Sequence, residues 1–400
     1  MKVLQINTVH KEKSTGRTCE EVNRALEASG NKGYVAYGRG KHKDTNAYRI
    51  GTEIEYYTHN LLARLTGLQG YFSYFATKRL IKYIKNLSPD IIHLRNLHAF
   101  YLNYPLFFKY LKDSEIPIIL NLHDCWALTG KCAHNTDIQC DKWKKQCFNC
   151  PVVKSYPKSY FFDQTRKQYK DKKNWFDEID NLSVIGVSEW VSNQARMSFL
   201  SEREITTVYN WIDTKTFYPR KSNVSKKIGI KEDKFVILGV SSNWTEGSPR
   251  YEDFIKLSKK IPESMQIVLV GQSNVEIFPE NISRVDFMKN IDELAEIYSS
   301  ADVYVHLSTE DTFGKVVAEA MACGTPAIVY NSTALPELIK DGCGYTVEKR
   351  NVQEVFDSIL KIQKKGKEVF SGNCVNSIKE NFSYSKNTIK LIENYNKLLT

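Results

Sequence analysis

The sequence predicts an α/β protein built from two doubly wound, parallel-sheet domains. Strand-like apolar runs alternate with amphipathic helical stretches, the alternation starts afresh near residue 235, and 400 residues with 42% hydrophobic character exceed what one core ordinarily holds. Charge divides the chain in a similar place. Residues 1–200 hold 30 Lys and Arg against 19 Asp and Glu, so the excess behind the net charge of +10 lies in the first half, which expects an anionic partner. Nucleic acid ranks below a lipid surface here, because no helix-turn-helix, RNA-recognition or finger pattern accompanies the charge, and no nucleic-acid partner is expected. Apolar runs such as 116–120 fall far short of the roughly 20 residues of a spanning helix, and no signal-peptide core opens the chain. A cytoplasmic protein, peripheral on the inner face of a membrane, is the expectation.

The first element is a buried strand at 1–8 carrying Val3, Leu4 and Ile6, followed by a polar loop reaching Gly16 and an amphipathic helix with Val22, Ala25 and Leu26. Apolar runs at 91–94, 116–122 and 182–187 continue as strands, with a helical pattern over 76–87 between them. Residues 210–223, with Pro219 and little periodicity, read as a linker. A second round of strands follows at 235–241, 267–271, 303–307 and 327–330. The spans divide the chain into a first domain at 1–214, a second at 215–383 and a final helical segment at 384–400.

Ligands of open α/β sheets bind outside the carboxyl ends of the strands, so the strand-to-helix loops are where chemistry belongs. The strongest local signal runs from Ser308 to Pro326. A strand ending near Leu307 leads into a loop holding Asp311, and Gly314 then opens a helix carrying Glu319. Amides at a helix start attract phosphate, a glycine lets a ligand approach the backbone, and a carboxylate about one turn further in can accept two vicinal ribose hydroxyls. A helix of Ala, Val and Met with one acidic residue is equally an ordinary core helix, so the segment alone leaves both readings open.

The stretch resembles the signature of the retaining GT-B glycosyltransferases of family 4. In that signature an acidic residue, seven intervening residues and a glutamate handle the nucleotide sugar, and the run Glu-Ala-Met-Ala-Cys-Gly-Thr-Pro is present here from Glu319. The resemblance extends to the opening strand with Gly16, His123-Asp-Cys-Trp126, Gly186-Val-Ser188, Tyr209-Asn-Trp-Ile-Asp213 and a C-terminal helix of the kind that returns to the first domain. It implies two Rossmann-like domains facing a cleft. It also implies a retaining transferase, with no catalytic cofactor or metal, that moves sugar from a UDP- or GDP-type donor to a glycan or lipid-linked acceptor in surface polysaccharide assembly.

By position, the resemblance implies catalytic roles for His123, Asp311 and Glu319. Glu319 would bind the ribose, Asp311 would meet the sugar hydroxyls with a shorter carboxylate than the usual glutamate, and His123 would contact the sugar near the reacting carbon. Glu310 competes with Asp311 if the loop is shifted. Gly16, Asn243, Phe313 and Gly314 fall on donor-binding positions, and Asp124, Trp126 and Ser188 on the acceptor side. One departure matters: the family's usual lysine after the first strand of the second domain is missing from 242–251. Arg250, suited to gripping two phosphate oxygens, or Lys315 would replace it. The gap keeps open a catalytically impaired GT-B partner subunit, with a GT-B isomerase or phosphorylase as a further alternative.

Two features remain. Among nine cysteines, Cys132, Cys140, Cys147 and Cys150 cluster in a loop spanning 125–151, an inventory that fits a structural zinc site, with disulfides or free thiols as alternatives. Between 56 and 87, Leu61, Leu62, Leu65, Leu68, Tyr71, Phe72, Tyr74 and Phe75 stand beside Arg64, Lys78, Arg79, Lys82 and Lys85, a mixture suited to an anionic bilayer surface unless the apolar members pack inward.

Overall fold

A computed structural model describes residues 1–42, 44–221, 233–286, 288 and 290–399. The chain separates into two compact units, one comprising Met1–Val208 with residues from Thr388 onward, the other Tyr209–Asn387. The sequence reading placed these divisions after 214 and 383.

The first unit carries a seven-stranded parallel sheet in the order β3-β2-β1-β4-β5-β6-β7. Its strands are β1 (Lys2–Val9), β2 (Lys32–Arg39), β3 (Ala47–Arg49), β4 (Ile91–Leu94), β5 (Ile118–Leu122), β6 (Leu182–Gly186) and β7 (Glu204–Thr207). β4 and β5 are buried throughout, as strands covered on both faces must be. Between them lie helices α1 (Lys13–Ala28), α2 (Glu53–Thr66), α3 (Tyr74–Leu87), α4 (Tyr104–Lys112), α5 (Thr165–Asp177) and α6 (Glu189–Arg196). α2 begins with a capping box, in which the Thr52 side chain accepts from the Glu55 amide while the Glu55 carboxylate accepts from the Thr52 amide.

Gly16 departs from expectation. It sits in the first turn of α1 rather than in a loop before it, because the helix already starts at Lys13. A Cβ here would lie 3.1 Å from the Lys11 nitrogen and 3.2 Å from Val9 Cγ2, so the missing side chain lets the helix start press against the turn that leaves β1.

The second unit repeats the plan with a six-stranded parallel sheet, β10-β9-β8-β11-β12-β13. These are β8 (Phe235–Trp244), β9 (Met265–Ser273), β10 (Ile282–Val285), β11 (Val303–His306), β12 (Ala327–Tyr330) and β13 (Gly344–Val347). With them come α7 (Pro249–Ser258), α8 (Ile291–Ser300), α9 (Lys315–Ala322), α10 (Val352–Lys365) and α11 (Glu368–Asn381). In this sheet the strand order reverses between β8 and β11, which makes the carboxyl ends of those two strands the switch point where such sheets bind ligands.

Residues 210–221 of the expected linker are packed into this unit. Trp211, Ile212 and Phe217 are buried, and the Ile212 amide donates to Phe382 O at 2.8 Å; 222 and 223 lie outside the described residues. The last helix, α12 (Tyr384–Lys397), ends against the first sheet, where the Tyr395 hydroxyl and His93 Nδ1 lie 2.6 Å apart and Thr206 Oγ1 donates to Asn394 Oδ1 at 3.1 Å. Among the described residues no helix is long and apolar enough to cross a membrane.

Candidate functional site

The switch point of the second sheet gathers a set of polar groups. β11 ends at His306, a buried imidazole whose Nε2 lies 2.8 Å from Asp311 Oδ2 and whose Nδ1 lies 3.2 Å from the Tyr304 hydroxyl. With the Tyr304 O–H donating to Nδ1 and Nε2–H donating to the carboxylate, both bonds are met by the neutral tautomer. Burial lowers the His306 pKa, against the pull of Asp311. For Asp311 burial is the largest influence and acts upward, but the bond and charge of His306, the charge of Arg250 and the bond from Ser308 together outweigh it, leaving the carboxyl below its ordinary range. Asp311 is therefore an anion near neutral pH whose position an imidazole sets.

Arg250 stands in the first turn of α7 and donates from Nη1 to Ser241 Oγ, near the end of β8, at 2.9 Å; its charge also acts on Tyr304, His306 and Asp311. The structure thus brings Arg250 and Asp311 to one strand-end region. Asn243, on the exposed end of β8, bonds Thr245 Oγ1 at 2.8 Å.

Gly314 is the N-cap of α9 with φ +86°, a backbone region that L side chains rarely adopt, and a Cβ there would meet Leu335 Cδ2 at 2.7 Å. No side-chain cap covers this helix start, and Lys315 is half-buried beside it. Phe313 packs its ring with Tyr209 and Phe382, so it offers a ligand backbone rather than side chain. One turn into α9, Glu319 is only 3% exposed and accepts from the Tyr298 hydroxyl at 3.2 Å.

In the first unit, Asp124 joins β5 to a short helical turn at Trp126–Leu128. Its Oδ2 lies 2.9 Å from His98 Nε2, and its Oδ1 accepts from the Trp126 amide at 2.8 Å. Burial pushes this carboxyl up, and His98 and the amide bring it below its ordinary value. The Trp126 indole donates to Gln69 Oε1 at 2.9 Å, while the Lys172 ammonium sits 3.7 Å over its ring and donates to Trp126 O and Thr129 O. Burial lowers Lys172 to about 7. His123 is half-buried and borders a small cavity shared with Arg95, Asn121 and Asp124. Ser188 is buried as the N-cap of α6, its Oγ accepting from the Val191 amide at 3.2 Å.

The four clustered cysteines are half-buried and none forms a disulfide. Cys132 and Cys150 hydrogen-bond to each other, and Cys147 Sγ accepts from the Gly130 amide at 3.1 Å. Among the described residues no group of three or more His, Cys, Asp or Glu side chains is placed to hold a metal ion.

Sequence reasoning overlooked His306, Tyr298, His98 and Lys172. For His306 a signal existed: a histidine closing a strand whose other residues are Val, Tyr and Val must find a buried partner.

Comparisons with known proteins agree with this architecture. The family described as Glycosyltransferase Family 4 matches residues 15–216, and that described as Glycosyl transferases group 1 matches 236–365. Over 192 residues the chain is 29% identical to the N-acetyl-alpha-D-glucosaminyl L-malate synthase of Bacillus anthracis, a match covering 45% of this chain and only 50% of that protein. It is 21% identical over 280 residues to the putative colanic acid biosynthesis glycosyl transferase WcaC of Escherichia coli K12, covering 68% and 67%. The solved structure of HepE from Anabaena in complex with UDP-glucose is similar with a TM-score of 0.66 at 15% identity, covering 99% of this chain and 100% of that one. At that identity the likeness concerns the fold, which is GT-B with two Rossmann-like domains. With more than half its length matching, the chain belongs to glycosyltransferase family 4.

Proposed function

We propose that this glycosyltransferase is a retaining, metal-independent enzyme that moves a sugar from a UDP- or GDP-type donor to a lipid-linked or growing glycan acceptor in surface polysaccharide assembly, working from the cytoplasm at an anionic membrane surface. The observation that carries the donor half is the pairing of Asp311, set by His306, with buried Glu319 eight residues on, across a helix start whose N-cap is Gly314. HepE, in complex with UDP-glucose in its solved structure, and the colanic acid relative support the donor class and the polysaccharide context respectively.

Cleaving the glycosyl phosphate bond builds positive charge on the anomeric carbon and negative charge on the departing diphosphate. In the proposed reaction the acceptor hydroxyl attacks from the face of departure, its proton passes to the leaving diphosphate, and Arg250 with the α9 amides balances the charge there. Asp311 takes the sugar hydroxyls and Glu319 the ribose. For the role of His123 and for the acceptor-side placing of Asp124, Trp126 and Ser188, the family resemblance is the support. The test is thermal shift with UDP and GDP, then donor turnover with the anomeric configuration of the product read by NMR. No stabilisation by either nucleotide would overturn the donor assignment; an inverted product would overturn retention.

A further inference from the structure

α2 is apolar on two opposite faces. Tyr56, His59 and Ala63 point into the first unit, where Tyr56 and Ala63 join Phe100 and Phe72 in a small core. On the far side Ile54, Tyr57, Leu61 and Leu65 follow one another at helical spacing, all exposed, Ile54 by 78% and Tyr57 by 62%. A solvated helix face is ordinarily polar, so this row calls for a cover. The row has apolar neighbours. At the C-terminal end of α2 the Tyr160 amide donates to Arg64 O at 2.8 Å, which seats the loop carrying Phe161 and Phe162, 71% and 56% exposed. The Arg79–Glu55 ion pair joins α3 to the first turn of α2, and on the inner side of α2 His59 Nδ1 lies 2.7 Å from Ser73 Oγ; α3 begins with exposed Tyr74 and Phe75.

Charge completes the pattern. Both acids of α2 are neutralised by arginines, Glu53 by Arg49 and Glu55 by Arg79. Lys78 lies 4.6 Å over the Tyr74 ring, and Lys158 4.9 Å over the Tyr160 ring, leaving ammonium groups beside the aromatic rim. Of the apolar residues expected from the sequence to meet a bilayer, Leu62, Leu68, Tyr71 and Phe72 are instead half-buried: Tyr71 bonds Asp171, and Phe72 packs on the core.

We infer that the outer row of α2, the Phe161–Phe162 loop and the start of α3 form the face by which the first unit lies on an anionic lipid bilayer. Apolar and aromatic side chains enter the headgroup boundary, and the flanking lysines meet lipid phosphates. This deepens the proposed function, since it says where a lipid-linked acceptor would be met, but it is tested without donor or acceptor.

The experiment is co-sedimentation of the full chain with vesicles of phosphatidylcholine, with and without about 30% phosphatidylglycerol, at low and high salt. Binding to the anionic vesicles only, lost as salt rises, is expected. Phe161→Ser with Phe162→Ser should weaken it by roughly tenfold or more, and Lys78→Glu with Lys158→Glu by roughly tenfold or more. All four positions are exposed, so nucleotide-induced thermal shift should stay as in the unsubstituted chain. Failure to bind anionic vesicles at low salt, or equal binding by both double variants, would overturn the inference. So would a concentration-dependent dimer that the Phe variant abolishes, which would make a second copy of this chain the cover. Loss of nucleotide binding in the unsubstituted chain would instead bear on the proposed function and leave the vesicle result standing.

Discussion

Asp311 and Glu319 stand eight residues apart yet are held by different kinds of partner. Asp311 is set by a neutral imidazole, so His306→Phe removes a donor to a charged group, an interaction worth about 1.5–3 kcal/mol. We expect turnover of the nucleotide sugar to fall by roughly tenfold or more while affinity for bare UDP or GDP is kept, and His306→Gln, which restores an N–H donor, to recover part of the loss. Equal loss of bare nucleotide binding in His306→Phe would show a general collapse of the loop. Glu319→Ala should do the opposite and weaken the bare nucleotide, again by roughly tenfold or more, in a titration by calorimetry. The carboxylates could be singled out in the sequence because an acid at a strand end and a second one turn into a glycine-led helix form a local pattern that resembles the family signature. Their holders were not, since Tyr298 lies 21 residues before Glu319 and meets it only through the packing of α8 on α9.

Elements were read well where burial alone dictates them and poorly where an edge or a close approach does. The central strands β4, β5, β11 and β12 are unbroken buried runs, which a parallel sheet covered on both faces requires. The edge strand β3 is three half-buried residues, and no periodicity that short can be read. Gly16 was expected at the end of a polar loop, yet its place is a helix turn pressed on backbone. Gly314 was read correctly as a helix start, and the structure adds why it must be glycine. Gly314→Ala would place a Cβ at φ +86°, at roughly 1–2 kcal/mol of backbone strain, and drive it into Leu335. We therefore expect a lowered melting temperature together with weaker nucleotide binding. An alanine variant with unchanged melting and affinity would show that α9 can start with an ordinary backbone.

At the scale of the whole molecule the formal charge of +10 could be counted from the sequence, but which groups stay uncharged could not, because that depends on burial. Four histidines illustrate the point. Burial lowers His59 to about 3, and it also lowers His93, His306 and His10 below the ordinary 6.5, His93 further aided by Arg95. The sign follows directly. Below about pH 6.5 the unfolded chain takes up protons that these folded sites refuse, so stability is complete above that pH and declines as acid is added. For His59 alone, 1% exposed and bonded at both nitrogens, the loss approaches about 2 kcal/mol by pH 5. The depressed carboxyls Asp124 and Asp311 do not counter this, because their contribution is complete above the unfolded carboxylate range near 4 and is lost only below it. Melting temperature measured from pH 7.5 to pH 5 should accordingly fall, and His59→Gln, which cannot take up a proton, should flatten the slope even if it lowers the melting temperature at pH 7.5. A melting temperature that rises toward pH 5, or a slope untouched in His59→Gln, would mean that His59 takes up its proton in the fold, and that the network joining α2 to Ser73 and Gly70 opens to admit it.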